Sequence, residues 1–523
     1  MSMSFLVHEK NSFLSILKTF GYDESVLQMF DDDVIFPFDL MDHQIEGIYA
    51  GLTHPRFGLF NEARTGKTAI MQALAIFFSK FDGKSIFLMP PALFTQFTQE
   101  FNLIQNHGLE IEQFTYSPKK REQVLLQWRQ ESAPDVLVMS IEIFRKHSME
   151  LRSAGYTYLF WDECHMGCGK ESNKSYKTVS DFIDLTENSR LVLSTGTPIP
   201  NNLYDLFPLL KLKSPESYPS RRHYDAEHVT FAQIRIRTPV GQRLISVPDH
   251  DNYKNTDLIS KNLMKAAVRR TKEETLNLKA PNVQIVPVQL SRSHAKLYRQ
   301  VLKDRIFELE GEMIDARQQQ KLRQVALQLV SDPEVASEPG KIKENAVFET
   351  TKALLDSVGA WDKEKVVLFA TYNNTVEKLT RYFKKYNPAV IYGQNGSEEN
   401  RRNLTKFQTD GTCRLLIANP ISGGVGIKAG DVSQTVIFVE PVSTPAAFDQ
   451  AASRVMLKGQ DKPVSVYILQ ILDTLSPSLI DLMMGKAQTM LSVTLDKKSV
   501  FDGLLGRNTD FIGDLPEGGE QAA

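Results

Sequence analysis

Short runs of almost uniformly apolar residues recur in two separate stretches of this chain, at about residues 34–215 and 363–471. Runs of this length suit parallel strands that are buried on both faces, and the segments between them have helical length and pattern. The runs are Ser85–Met89, Val136–Ser140, Tyr158–Asp162 and Leu191–Thr195, then Lys365–Ala370, Arg414–Asn419, Thr435–Glu440 and Val464–Leu469. Strands alternating with helices predict an α/β fold with two doubly wound parallel sheets.

The length of 523 residues suffices for two to four domains. Between the two α/β stretches helical patterns prevail, with Leu322, Val325 and Leu329 at helical spacing. We expect five parts, which are a helical cap at 1–33, a first lobe at 34–215, a helical insertion at 216–345, a second lobe at 346–495 and a flexible acidic tail at 496–523.

The cellular setting is predicted from three features. Only 3 cysteines occur, which is too few for a disulfide framework in a chain of this size. The N-terminus lacks the charged and apolar regions of a signal peptide. The longest uncharged apolar stretch, 68–79, is shorter than the ~20 residues that cross a bilayer. We therefore expect a cytoplasmic protein with no membrane partner.

Charge is unevenly distributed along the chain. The net charge is −2, which argues against a uniformly basic nucleic-acid-binding protein. Residues 261–305 nevertheless hold 11 Lys and Arg against 3 Asp and Glu, so this segment carries +8 and the remainder −10. Two interpretations stay open for the basic segment: a solvated helical face, or a surface that contacts phosphates.

A candidate phosphate loop lies between an apolar run and a helix-like segment. Ala63–Thr68 reads ARTGKT and is followed by AIMQALAIFF. Backbone N–H groups at a strand-to-helix turn cradle phosphates, Lys67 would pair with the β- and γ-phosphates, and the Thr68 hydroxyl would bind Mg²⁺. The strict pattern has glycine where this chain has Asn61.

Two adjacent carboxylates end a predicted strand about a hundred residues later. Asp162 would bind Mg²⁺, and Glu163 would orient and deprotonate the attacking water. A zinc site at Cys164, His165 and Cys168 is the alternative, but a fourth ligand at typical spacing is absent. A surface turn with two charges is the third interpretation.

Further motifs follow in a fixed order. They are Leu40-x-x-His43-Gln44-x-x-Gly47, the phosphate loop, Asp162–His165, Ser194–Ile199, Ser422–Gly426 and Gln450-Ala451-x-x-Arg454 with Gly459-Gln460 behind. This series resembles the motor core of helicase superfamily 2 over residues 34–495. TGTPIPNNLYDLFPLLKLKSP, LMKAAVRRTKEET and EPVSTPAAFDQAASR resemble segments of its SWI/SNF family of DNA translocases, with Glu440 where that family has an acid.

The resemblance implies two RecA-like lobes with ATP in the cleft between them. Gln44 would read adenine, and Arg454 would stabilise charge on the transferring phosphoryl group. The implied nucleotide-binding residues are His43, Gln44, Thr65, Gly66, Lys67, Thr68, Gly426 and Arg454. The implied DNA-contacting residues are Pro90, Ser140, Arg269, Arg270, Thr371, Gly423 and Thr444. His165 and Thr195 would couple nucleotide state to lobe movement.

Two positions depart from the family pattern. Arg64 stands where the phosphate loop has glycine; it would contact nucleotide or DNA, or point to solvent. The family reads QAxxRxxRxGQ near its end, and this chain reads QAASRVMLKGQ, so Leu457 replaces the second arginine. If that second arginine were the family's only arginine finger, hydrolysis by this chain would be slower by ~10³-fold or more than with the arginine present. Lys458 is the candidate substitute, as a point charge.

These features lead us to expect an ATP- and Mg²⁺-dependent translocase on duplex DNA. Without visible chromatin-binding segments it would remodel DNA junctions or displace bound protein, and so compact a motor suits a bacterium or a phage-infected cell. Duplex or branched DNA is the expected nucleic-acid partner, and the free protein would be a monomer. A replication, recombination or transcription protein is the expected partner. A strand-separating helicase, a nucleotide-gated DNA-binding module and an RNA-directed ATPase are the rivals. Step polarity, 3′→5′, is implied by the family resemblance alone.

Overall fold

The computed structural model describes most of the chain. The described residues are 34–79, 83–128, 132–238, 241–276, 278–310, 316–342, 344–360, 364–420, 429–457, 460, 462–496 and 501. The predicted cap and nearly all of the predicted tail lie outside these residues. The described chain divides into two compact units, the first built from 34–230, 252–276 and 492–494, the second from 231–251 and 278–491 with residues after 494.

The first unit contains a sheet of seven parallel strands, in the order β3-β4-β2-β5-β6-β1-β9. The strands are β1 (Arg56–Leu59), β2 (Lys84–Leu88), β3 (Ile111–Gln113), β4 (Val136–Met139), β5 (Tyr156–Trp161), β6 (Arg190–Ser194) and β9 (Ala267–Val268). The helices are α1 (Asp42–Thr53), α2 (Lys67–Ser79), α3 (Phe94–Asn102), α4 (Pro118–Gln127), α5 (Ile141–Ser153), α6 (His165–Cys168), α7 (Lys174–Leu185), α8 (Phe207–Lys213), α9 (Arg221–His228), α10 (Thr256–Met264) and α11 (Lys272–Leu276).

The core of this unit follows from the apolar runs. Ile86, Phe87 and Leu88 on β2 are fully buried, because helices cover both faces of a parallel sheet. Phe87 stacks on Phe160 of the neighbouring strand, with ring centroids 4.4 Å apart. Helix α2 is buried from Ala69 to Phe78, so it packs as a core helix directly behind the phosphate loop. All strands run the same way, so their C-terminal ends meet at one edge.

The second unit contains six parallel strands, in the order β10-β15-β14-β11-β13-β12. They are β10 (Asn282–Val288), β11 (Lys365–Phe369), β12 (Ala389–Ile391), β13 (Leu415–Ala418), β14 (Ser433–Phe438) and β15 (Ser465–Ile471). The helices are α12 (Arg292–Glu310), α13 (Ala316–Ser331), α14 (Ala346–Ser357), α15 (Asn373–Tyr382), α16 (Ser397–Thr409), α17 (Pro445–Ala452) and α18 (Ser476–Thr494), whose last turn belongs to the first unit. Each of the eight apolar runs named at the outset forms a strand, so the predicted fold class is confirmed.

The prediction of a helical insertion at 216–345 is wrong in part. A two-stranded ribbon, β7 (Val229–Thr238) with β8 (Gly241–Tyr253), lies inside it. The short strand β9 joins the first sheet, and β10 joins the second. Backbone pairing to each sheet edge overrides local helical preference here. The basic segment 261–305 is consequently divided between the two units.

Within the described part of the chain, no helix combines the length and the apolar character needed to cross a bilayer.

Candidate functional site

The phosphate loop turns back on itself between β1 and α2. Asn61, Glu62 and Thr65 are buried. The Thr65 hydroxyl donates to the Glu62 carbonyl at 2.8 Å, and the Lys67 ammonium donates to the same carbonyl at 3.0 Å. The loop therefore holds Lys67 at the start of α2, where backbone N–H groups bind anions.

Gly66 brings the loop against the helix that carries His43 and Gln44. Its φ of 82° is left-handed, and a Cβ there would lie 1.9 Å from the Gln44 Nε2. Gln44 Nε2 donates to the Gly66 carbonyl at 3.4 Å, and His43 Nε2 lies 2.7 Å from the Thr65 carbonyl. The structure thus brings together the predicted nucleotide-binding residues of the first unit.

Two non-glycine residues of the site adopt left-handed backbone conformations. Arg64 in the loop has a φ of 69°, and Glu163 has a φ of 48°. Such conformations cost about 1–3 kcal/mol each and persist where surrounding contacts fix them, most often at functional sites. The loop therefore keeps at Arg64 the conformation that glycine adopts without strain.

Asp162 lies at the C-terminal end of β5, level with the phosphate loop. Its backbone N–H donates to the Leu88 carbonyl at 2.8 Å, and the Ser194 hydroxyl donates to its Oδ1 at 2.7 Å. Burial raises the pKa of Asp162, the adjacent Glu163 carboxylate raises it further, and the Lys67 charge opposes both. A partly buried carboxylate in this setting is suited to a bound cation. Sequence reasoning assigned no role to Ser194.

A series of polar contacts connects Glu163 with the end of β1, directly before the phosphate loop. His165 Nδ1 lies 3.4 Å from Glu163 Oε2 and 2.8 Å from the Thr195 hydroxyl. The Thr195 N–H donates to the Leu59 carbonyl on β1 at 3.1 Å. Burial lowers the pKa of His165 to about 4, so the imidazole is neutral near pH 7. The two predicted coupling residues, His165 and Thr195, are therefore in direct contact.

The low pKa of His165 predicts a pH effect on stability. The unfolded histidine titrates near 6.5 and the folded one near 4, so the unfolded chain takes up the proton first as the pH falls. Stability that is present above pH 6.5 is lost toward pH 4, by at most about 3 kcal/mol. Urea unfolding midpoints at pH 7 and pH 4.5 measure this loss.

The matched variant is His165→Gln, which should show a smaller loss between these two pH values. The comparison isolates His165 from Asp162, whose raised pKa acts in the opposite direction. Identical pH dependence in both proteins would contradict the assigned pKa.

The zinc alternative gains no support. Across the described residues, no group of three or more His, Cys, Asp or Glu side chains could hold a metal ion. Cys164 and Cys168 are buried, and burial raises the pKa of the Cys164 thiol.

The residues expected to contact DNA in the first unit fall into two groups. Pro90 and Ser140 lie just after the ends of the neighbouring strands β2 and β4. The residues before them are hydrogen-bonded, the Met89 N–H donating to the Met139 carbonyl at 3.2 Å. Arg269 and Arg270 lie elsewhere. The Arg269 side chain is only 6% exposed and points at Glu62. Arg270 Nη2 donates to both carboxylate oxygens of Glu46, at 2.6 and 2.8 Å. This placement corrects the expectation for Arg269, because so buried a guanidinium has no surface for a DNA backbone.

In the second unit, Thr371 is fixed by the buried carboxylate of Glu440. The N–H groups of Thr371 and Tyr372 donate to Glu440 Oε2 at 2.7 and 3.1 Å, and the Thr375 hydroxyl donates to Oε1 at 2.7 Å. Burial raises the pKa of Glu440, and these hydrogen bonds oppose the increase. Glu440 therefore organises the turn after β11.

The remaining predicted residues of the second unit lie after β14. Thr444 caps α17, its hydroxyl accepting from the Ala447 N–H at 3.4 Å, and half-buried Arg454 lies in a short 3₁₀ helix after α17. Leu457 packs on Gly430, since a Cβ at Gly430 would lie 2.5 Å from the Leu457 Cγ. The predicted residues Gly423 and Gly426 lie outside the described part of the chain.

Comparison with known proteins gives the class. The SNF2-related domain matches residues 14–334, and the helicase conserved C-terminal domain matches residues 348–459. Together the two matches cover most of the chain and place it among helicase-related proteins of the SNF2 type. Because the first match covers more than half of the residues, the chain belongs to the SNF2-related family, and the predicted SWI/SNF resemblance is confirmed.

Similar proteins come from animals and bacteria. The mouse (Mus musculus) chromodomain-helicase-DNA-binding protein 1-like is 26% identical over 476 residues, covering 87% of this chain and 49% of that protein. The Bacillus subtilis (strain 168) uncharacterized ATP-dependent helicase YqhH is 24% identical over 428 residues, covering 77% and 69%. The chain thus spans about half the length of the mouse relative.

One solved structure is the Sulfolobus solfataricus SWI2/SNF2 ATPase core in complex with dsDNA. It is 18% identical, covers 90% of this chain and 95% of that chain, and superposes with a TM-score of 0.38. The family assignment rests on the sequence matches, because this score is too low to bear on it.

Proposed function

We propose that this chain hydrolyses ATP and uses the energy to move along duplex DNA, remodelling DNA junctions or displacing bound protein. The observation that carries the proposal is the first-unit site, where Lys67, Asp162 and Glu163 lie at one sheet edge in a chain of the SNF2-related family. Its similarity to a chromodomain-helicase-DNA-binding protein and to an ATP-dependent helicase also supports it. Duplex or branched DNA is the proposed partner.

The residues of the first unit have the chemistry for nucleotide and Mg²⁺. Asp162 fits the metal because it is a partly buried carboxylate that accepts a hydrogen bond from Ser194 on Oδ1. Thr68, in the first turn of α2, is the second residue that would hold it. When bound, Mg²⁺ supplies charge neutralisation on the phosphate oxygens.

Hydrolysis would depend on groups of this chain with separate tasks. Lys67 binds the phosphates, and the N-terminal N–H groups of α2 orient them. Glu163 accepts the proton of the attacking water, and its contact with neutral His165 keeps the carboxylate in place. Thr195 contacts His165 through its hydroxyl and the last residue of β1 through its N–H, so a change at the phosphate loop would reach Glu163 through these residues.

A steady-state ATPase assay tests the proposal. Turnover is measured without nucleic acid and with single-stranded DNA, duplex DNA, branched DNA or RNA. Strong stimulation by duplex or branched DNA supports the DNA translocase. Stimulation by RNA alone would move the assignment to an RNA-directed ATPase, and product trapping on a forked duplex would reveal strand separation.

A second candidate is a nucleotide-gated DNA-binding module with weak hydrolysis. It is favoured by Leu457, which occupies the position of an arginine and packs on Gly430 instead. Arginine fingers contribute about 10³–10⁵-fold to turnover. In such a module, hydrolysis would be slow because the second arginine is missing.

Leu457→Arg separates the two candidates. If Arg454 alone supplies the arginine finger that hydrolysis needs, we expect this variant to change DNA-stimulated turnover by less than about threefold. An increase of more than about tenfold would contradict that expectation and support the gated module, because one correctly placed guanidinium would then have been the missing component. Leu457→Met, which keeps the apolar contact with Gly430, is the matched control.

A further inference from the structure

A segment far along the chain lies against the phosphate loop. Beside β1, the N–H groups of Gly58, Phe60 and Glu62 donate to the carbonyls of Ala266, Val268 and Arg270 at 3.0, 2.9 and 3.0 Å. The pairing begins with β9 and continues beyond the end of β1 into the loop. The backbone of residues 266–270 therefore supports the loop along its first half.

Within this segment, one guanidinium joins two parts of the candidate site. Arg269 Nη1 donates to the carbonyl of Phe60, at the start of the loop, and to the carbonyl of Gly196 at 3.4 Å. Gly196 directly follows Thr195, so Arg269 connects the loop with the turn that contacts His165.

The same guanidinium faces a buried carboxylate of the loop. Arg269 Nη2 lies 3.7 Å from Glu62 Oε1, and the two side chains are 6% and 4% exposed. Glu62 Oε2 accepts from the Lys272 N–H at 2.9 Å. Removing one member of such a buried pair leaves a charge without compensation, which the loop would relieve by moving.

The loop has a particular need for such support. Arg64, two residues after Glu62, holds a left-handed φ of 69° that a non-glycine residue adopts only under constraint. The intervening Ala63 has a methyl side chain that offers no polar contact. Contacts through Glu62 and the Phe60 carbonyl are therefore one way in which residues outside the loop fix its first residues.

We propose that Arg269 is a positioning residue for ATP, acting through Glu62 and the carbonyls of Phe60 and Gly196 to hold the phosphate loop in its binding conformation. This role rests on the proposed ATPase function and deepens it. Arg269 would touch neither nucleotide nor DNA. Its loss would displace Lys67 and Thr68 relative to the phosphates, and displacements near 1 Å cost about 10²-fold in rate.

The test compares full-length variants in duplex-stimulated ATP hydrolysis, with KM and kcat determined separately. The variants are Arg269→Gln, Arg269→Lys, Glu62→Gln and the double variant Arg269→Gln/Glu62→Gln. Asp184→Asn is the control, since Asp184 forms an exposed 2.6 Å pair with Arg56 at the opposite end of β1. Thermal unfolding without nucleotide sets a temperature at which each protein is folded.

We expect Arg269→Gln to raise the KM for ATP at least tenfold and to lower kcat/KM about 10²-fold. Arg269→Lys should lie between this variant and wild type, because an ammonium cannot match the planar fork. The double variant removes both charges and should fold more readily, yet it should retain the raised KM. Asp184→Asn should stay within twofold of wild type.

Each outcome has one meaning. A wild-type protein that neither binds nor hydrolyses ATP would overturn the proposed function. A wild-type protein that hydrolyses ATP, with folded Arg269→Gln or the double variant at wild-type KM, would overturn the positioning role alone. If Arg269→Gln does not fold, the double variant and Arg269→Lys decide, and wild-type KM in both would overturn it.

Discussion

Replacing Glu163 by glutamine is expected to lower ATP turnover by about 10²–10⁴-fold while the affinity for ATP stays near that of wild type. Glutamine keeps the size of the side chain and its distance to His165 but cannot accept the proton of the attacking water. The lysine and the helix N-terminus that bind phosphate are unchanged. Steady-state turnover with duplex DNA and equilibrium binding of a fluorescent ATP analogue measure the two quantities.

Glu187→Gln is the control for this experiment, because Glu187 is exposed in the loop after α7. It should behave as wild type in both assays. Turnover in Glu163→Gln within about threefold of wild type would show that another group activates the water.

Replacing Lys67 by alanine is expected to weaken ATP binding and to lower turnover. The ammonium donates to the Glu62 carbonyl and stands at the first turn of α2, where it would meet the β- and γ-phosphates. Losing one such electrostatic contact costs about 10²–10³-fold in turnover. We also expect a rise of more than tenfold in the dissociation constant for the ATP analogue.

Lys174→Ala, at an exposed position in the first turn of α7, controls for a general change of charge. Comparison with Glu163→Gln gives the sharper test: Glu163→Gln should lose turnover at nearly unchanged affinity for ATP, whereas Lys67→Ala should lose both affinity and turnover. Wild-type affinity in Lys67→Ala would contradict the placement of the phosphates at this loop.

The fold was predictable because its signal is local. Eight of the buried strands can be recognised in the sequence as apolar runs. A parallel strand covered on both faces does not alternate between polar and apolar residues. The parts of the candidate site that lie within short motifs were equally accessible. Lys67 and Thr68 are neighbours on one turn, and His165 is three residues from Asp162.

The remaining features depend on contacts between distant residues. Glu62 and Arg269 are more than 200 residues apart in the sequence, so no local pattern could pair them. The family resemblance implies instead that Arg269 and Arg270 contact DNA. The ribbon of β7 and β8 had a readable signal in the alternation Ile234-Arg235-Ile236-Arg237. Strands β9 and β10 are set by the sheet edges they join.

The most direct test of the central claim is displacement of a third DNA strand from a triplex placed at one end of a duplex. The assay detects movement along duplex DNA without requiring strand separation. We predict ATP-dependent displacement by the wild-type protein and none above the no-ATP level by Glu163→Gln. ATP hydrolysis by the wild-type protein without any displacement above that level would contradict translocation.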